Sequence, residues 1–262
     1  MIRAIFMFWD QAEQVTEQAL AVGSLLPIAT QPSVIEEAGI QFLLHTKLKT
    51  FNKKTAVSNK KVTNPFLPFE QDMYVGEAGD SHVCLLNKFP VLLHHLLICT
   101  RRYEAQTLPL TLENFEAWLL GVTTPDVLGF YNGGEAAGAS QMHRHMQLVK
   151  TEIPMVKIIS SGNLAFKHQL YYFTDLKAED LFSAYQEAMY QLGLIIDGQC
   201  LPYNILLTKQ WMLILPRTKA QLNELLVNGL NYTGRFLVKN NEQAQWLRQY
   251  GFLRVLAECG QV

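Results

Sequence analysis

Between residues 129 and 150 the chain reads GFYNGGEAAGASQMHRHMQLVK, a stretch that restricts the fold more than any other. Its second half alternates residue by residue. In an extended strand successive side chains take opposite faces, so His143, His145, Gln147 and Val149 share one face. Arg144, Met146, Leu148 and Lys150 take the other. The bend before the strand is rich in glycine and alanine, and with few Cβ atoms in the way its main chain can approach a phosphate closely. Two imidazoles and a carboxamide therefore line up beside a loop suited to anions.

The rest of the chain has to build a scaffold around that strand. Residues 10–22 have the pattern of an amphipathic helix, with Asp10 as N-cap, Glu13 three positions on, and Val15, Ala19 and Val22 as the apolar stripe. Residues 40–48 read as a strand and 49–80 as a long polar loop. The apolar run 82–100 is interrupted by Asn87-Lys88-Phe89-Pro90, which predicts two strands joined by a turn. Thr111 caps a helix through Leu120, with Gly121 as its C′ residue. A strand over 127–131, a helix over 178–192 and a strand pair at 203–207 and 211–215 follow. The last fifty residues read as mostly helical, with Asn241 as an N-cap. No βαβαβ rhythm is present, so the expected class is α+β with an antiparallel sheet.

Composition narrows the partners and the compartment. With 262 residues, 49% hydrophobic and 17% charged, the chain can bury the core of one large or two moderate domains and does not read as disordered. A net charge of −1 gives nothing that draws it to nucleic acid or an anionic membrane. No segment approaches the roughly 18 apolar residues of a membrane span. The apolar run at 5–9 is too short for a signal-peptide core. Cys84, Cys99, Cys200 and Cys259 form no CxxC pair, and buried thiols in a reducing cytoplasm are expected.

The loop is not a Walker A motif, because the lysine position holds Ala139, and no GxGxxG occurs. Two histidines at i, i+2 could chelate a metal, but Gln147 is a poor third ligand and no nearby Asp, Glu or Cys offers an evident substitute. Neutral imidazole is better suited to attack on phosphorus near pH 7, with the phosphoramidate kept for a second acceptor. Ser140, Gln141 and the backbone of Gly138 and Ala139 could donate to the equatorial oxygens. His94-His95 reads as part of a strand with one hydrogen-bonded core histidine, and the lysines between 47 and 61 as a polyphosphate-facing loop or solvated surface.

GASQMHRHMQLV resembles the HxHxQ signature of the transferase branch of the histidine-triad superfamily. With Asn132, the NKFPV run and YNILLTKQWMLILPR, it is similar to the diadenosine tetraphosphate phosphorylases, also called ATP adenylyltransferases, over about residues 42–234. The resemblance implies a histidine-triad-like antiparallel sheet flanked by helices, with a catalytic domain at 1–182 and a smaller C-terminal α+β part at 183–262. It implies phosphorolysis of diadenosine tetraphosphate to ATP and ADP through an adenylyl-histidine on His145, with His143 orienting the site and Gln147 donating to phosphate. Hydrolytic relatives carry histidine at the Gln147 position. The implied substrate contacts are Asn87, Lys88, Asn132, Gly138, Ala139, Ser140, Gln141, Thr208, Lys209, Lys219 and Lys54, the last in competing register with Lys47, Lys49 and Lys53. No tightly bound cofactor and no protein-held metal are implied, with Mg2+ accompanying the nucleotide. Two other functions fit the same scaffold. One is a sugar-1-phosphate nucleotidylyltransferase, in which proline usually stands where this chain has Arg144. The other is a nucleotide-binding sensor without catalysis, which would not need His145.

Overall fold

The computed structural model describes residues 2–48, 64–122 and 124–261, with residues 2–7 by backbone alone. The helices are α1 (Ile2–Ala21), α2 (Leu112–Leu119), α3 (Val156–Ser161), α4 (Ala178–Gln191), α5 (Asn241–Tyr250) and α6 (Phe252–Cys259). The first eight strands are β1 (Thr30–Glu37), β2 (Ile40–Lys47), β3 (Tyr74–Glu77), β4 (His82–Leu86), β5 (Leu96–Thr100), β6 (Val127–Gly133), β7 (His145–Lys150) and β8 (Gln169–Tyr172). A two-residue pair, β9 (Ile195–Ile196) and β10 (Gln199–Cys200), precedes β11 (Tyr203–Leu207) and β12 (Trp211–Pro216). A second short pair, β13 (Gln221–Leu222) and β14 (Leu225–Leu226), precedes β15 (Arg235–Val238).

Eight of these strands form one antiparallel sheet in the order β3-β4-β5-β7-β6-β11-β12-β8. A smaller sheet orders β1-β2-β15, with β15 parallel to β2. The large sheet is covered on both sides, which explains why β5, β11 and β12 are apolar without alternation. On one face α1, α2 and α4 bring Trp9, Trp118, Leu181 and Met189 against Met146, Leu148, Ile205 and Ile214. On the other, Phe42, Phe236 and Phe252 from the small sheet and α6 meet Leu128, Phe130, Val149 and Leu213. Phe42 and Phe252 stack with ring centroids 4.6 Å apart. Burying each such ring contributes roughly 1.5–3 kcal/mol.

The α+β class with a large antiparallel sheet holds, and several local expectations do not. The first helix starts at Ile2, so Asp10 lies inside it rather than capping it. Its buried stripe is Trp9, Ala12, Thr16 and Ala19, while Val22 lies past its end and is exposed. A strand, β3, falls inside the segment read as loop. Residues 87–95 form a long connection rather than a turn, and His94 and His95 sit in it, His94 with φ +56°. The last fifty residues carry three short strands as well as α5 and α6, and the cap of α5 is Asn240, whose side chain accepts from Gln243 N–H. Alternation cannot be read from strands of two to four residues.

Candidate active site

The glycine-rich loop leaves the end of β6 and is shaped by contacts from far along the chain. Gly134 and Gly138 have φ of +102° and +93°, a region that favours glycine. A Cβ on Gly138 would come within 2.8 Å of the Asn228 Cα and the Val227 carbonyl oxygen. Within the loop Gly138 N–H donates to Glu135 O (2.8 Å) and Ala139 N–H to Gly134 O (3.1 Å). Those two donors, expected to face phosphate, are therefore engaged in the loop itself. Ser140 remains exposed, with no hydrogen bond among the described residues. Behind the loop, Arg217 donates from Nη1 to Ala137 O (3.2 Å) and Asn204 Oδ1, and from Nη2 to Lys219 O and Val227 O. Asn204 Nδ2 in turn donates to Ala137 O and to Asn132 Oδ1. Gly229 N–H also donates to Asn132 Oδ1, leaving the Asn132 amide nitrogen for the cleft.

His145 opens β7 and its ring is buried. Its Nδ1–H donates to the main-chain oxygen of His143 (2.8 Å), so the lone pair of the neutral ring is on Nε2. Burial lowers its pKa from 6.5 to about 4, with the His143 carbonyl opposing the shift. The imidazole of His143 does not touch His145 in this way. It bonds Thr100 through Nε2 and Asn64 through Nδ1, between the rings of Phe66 and Tyr103. His143 therefore fixes the tautomer of its neighbour by its main chain. Arg144 points to the opposite face, where it pairs with Glu104 and donates to Asn114 Oδ1 and Leu108 O.

A cleft of about 1170 Å³ runs between the large sheet and the loops that follow β12. His145, Gln147, Asn87, Asn132 and the loop residues Gly138, Ala139 and Ser140 line it. Gln141 follows the loop without lining the cleft. Lys88 is turned to Glu70, 2.7 Å from each carboxylate oxygen. Thr208 and Lys209 lie in the β11–β12 turn, where the Thr208 hydroxyl accepts from Gln210 and Trp211 N–H. That turn adjoins Leu207, opposite Gly129, at the far end of the sheet from Gly133. Lys219 faces Glu258 (3.6 Å), and only its main-chain oxygen enters the Arg217 cluster. Lys54, Lys49 and Lys53 fall outside the described residues, whereas Lys47 lines the cleft.

Two site residues escaped the sequence reading. His95 bonds Asn87 through Nδ1 (3.0 Å) and Gln147 Oε1 through Nε2 (3.0 Å). Gln106, fully buried, accepts from His145 N–H and donates to Asn132 O, tying β7 to β6. The doubled histidine was the only signal for the first, and none marked the second. Among the described residues no group of three or more His, Cys, Asp or Glu is arranged to hold a metal ion.

A buried histidine facing a cleft of this size, beside a glycine loop on an antiparallel sheet, accords with a nucleotidyltransferase, the class to which its relatives assign the chain. Residues 3–160 match the family model of the Ap4A phosphorylase N-terminal domain, and residues 162–262 that of the ATP adenylyltransferase C-terminal domain. The chain belongs to the Ap4A phosphorylase family. It is 29% identical to diadenosine 5′,5′′′-P1,P4-tetraphosphate phosphorylase 2 of Saccharomyces cerevisiae, over 78% of each chain. It is 26% identical to Protein APA1 of the same yeast, over 71% of this chain and 70% of that one. In fold it is similar to yeast Ap4A phosphorylase Apa2. The structure with AMP superposes with TM-score 0.79 at 24% identity, covering 97% of this chain and 96% of that chain. The structure with Ap4A gives 0.78 at 23%, covering 97% of each.

Proposed function

We propose that the chain phosphorolyses diadenosine tetraphosphate to ATP and ADP through an adenylyl group carried on His145. The observation that carries this reading is the His145 ring, held neutral with Nδ1–H on the His143 carbonyl and Nε2 bare toward the cleft. Nε2 attacks the α-phosphorus, the P–N bond forms, and the P–O bond to the β-phosphate breaks with ATP as the leaving group. The carbonyl of His143 stabilises the positive charge that develops on the ring. Inorganic phosphate then attacks the same phosphorus, the P–N bond breaks, and ADP leaves with His145 restored. The carboxamides of Gln147 and Asn132 and the Ser140 hydroxyl supply donors for the equatorial oxygens. The same chemistry in reverse is that of an ATP adenylyltransferase.

Mg2+ is proposed to accompany the substrate, whose phosphates carry several adjacent negative charges. The cytoplasm is the proposed setting. It accords with four unpaired, buried cysteines, and no helix among the described residues is long and apolar enough to cross a membrane.

The test is a product assay with diadenosine tetraphosphate, with and without phosphate, on the wild type and His145→Ala. ATP plus ADP, dependent on phosphate and absent in the variant, is the expected result. ATP plus AMP without phosphate would mean hydrolysis and overturn the reading.

A further inference from the structure

Gln147 can help a phosphoryl group only if its NH2, and not its carbonyl oxygen, faces the cleft. Nothing in the amide itself decides between the two, because oxygen and nitrogen are nearly equal in shape. A chain of hydrogen bonds behind it does decide. Phe89 N–H, a main-chain donor that cannot invert, donates to Asn87 Oδ1 (3.1 Å). Asn87 must then present Nδ2 to the ring of His95, so His95 Nδ1 is the acceptor (3.0 Å). The proton of the neutral ring therefore sits on Nε2 and donates to Gln147 Oε1 (3.0 Å). With its oxygen engaged, Gln147 has only its NH2 left, and that nitrogen has no partner among the described residues and lies open to the cleft.

We propose that His95 is a positioning residue that passes the fixed polarity of the Phe89 main chain to Gln147, so that Gln147 is locked as a donor toward the transferred phosphoryl group. The catalytic half of this inference rests on the adenylyl-transfer reading, whereas the polarity of the relay does not. Phe130, whose ring centroid lies 5.6 Å from that of His95, holds the imidazole in place. The ring also stays neutral, since burial lowers its pKa to about 4 despite the bond to Gln147. A protonated Nδ1 would face the Asn87 NH2 and break the relay.

The plainer alternative, that His95 only fills space beside Phe130, makes a different prediction. In single-turnover adenylylation, Gln147→Ala should slow the rate roughly 10²-fold, as for loss of one oxyanion donor. His95→Ala should lower the same rate constant with little change in KM, and the double variant should be no slower than Gln147→Ala alone. If His95→Ala slows the Gln147→Ala protein by the factor it costs the wild type, His95 does not act through Gln147 and the proposal falls. Should His95→Ala fail to fold, Asn87→Ala breaks the same relay from its other end, with the same non-additivity expected. The relay is also read without turnover. The 15N shifts of the His95 ring in the free protein should report a neutral Nε2–H tautomer, and an Nδ1–H or cationic ring would overturn the inference. If the wild type forms no adenylyl-histidine while that tautomer is present, the adenylyl-transfer reading has failed and the donor lock on Gln147 stands.

Discussion

A histidine that is to attack phosphorus, the role proposed for His145, needs one nitrogen bare and the other held. In His145 the main chain does the holding, and burial keeps the ring uncharged. The neutral form is the reactive one and its pKa is lowered to about 4. The rate of His145 adenylylation should therefore stay level from pH 8 to 5 and fall only as pH drops through about 4, not through the ordinary 6.5; rapid-quench measurements against pH would show which. Gly138→Ala should cost roughly 1–3 kcal/mol of stability in urea unfolding and lower kcat, because its Cβ would meet backbone at Asn228 that cannot swing aside. At this scale much of the site was legible. Strict alternation set His145 and Gln147 on one face and sent Arg144 to the other. His95 was not, because its meaning comes from a partner 52 positions away and a connection whose path no periodicity encodes.

Elements supply what single residues cannot. The glycine loop is held from behind by β11 and the end of β12, through Asn204 and Arg217. Arg217 is buried and serves several carbonyls, so Arg217→Ala would orphan them at roughly 1–3 kcal/mol for each left unpaired. The expected result is a marked fall in the urea midpoint together with loss of turnover, and normal activity in a stable variant would show that the loop keeps its shape alone. Helices α2 and α4 and the β11–β12 hairpin could be read from the sequence because each is long enough to show a period or a cap. Thr111 caps α2, as the pattern implied, and the structure adds a capping box with Asn114. The short strands β13, β14 and β15 gave no such signal, and β15 is ordered by its parallel pairing with β2, nearly two hundred positions earlier.

Across the whole molecule, burying neutral histidines has a cost in acid. His95 and His145 both titrate near 4 when folded, against 6.5 for the free side chain. The unfolded chain therefore takes up protons first as pH falls, and stability present above 6.5 declines below it. Between pH 6.5 and 5 the two groups together should remove roughly 3 kcal/mol, which urea unfolding at stepped pH would measure. The large sheet takes five strands from the part of the chain before residue 160 and three from the part after it. Once the ribosome has passed residue 150, β7 and His145 are already made, but Asn204, Arg217 and the Val227–Asn228 wall of the loop are not. A nascent chain thus carries a histidine without a workplace, and the nucleotide transfer proposed for His145 has to wait until the wall at residues 227–228 has been made.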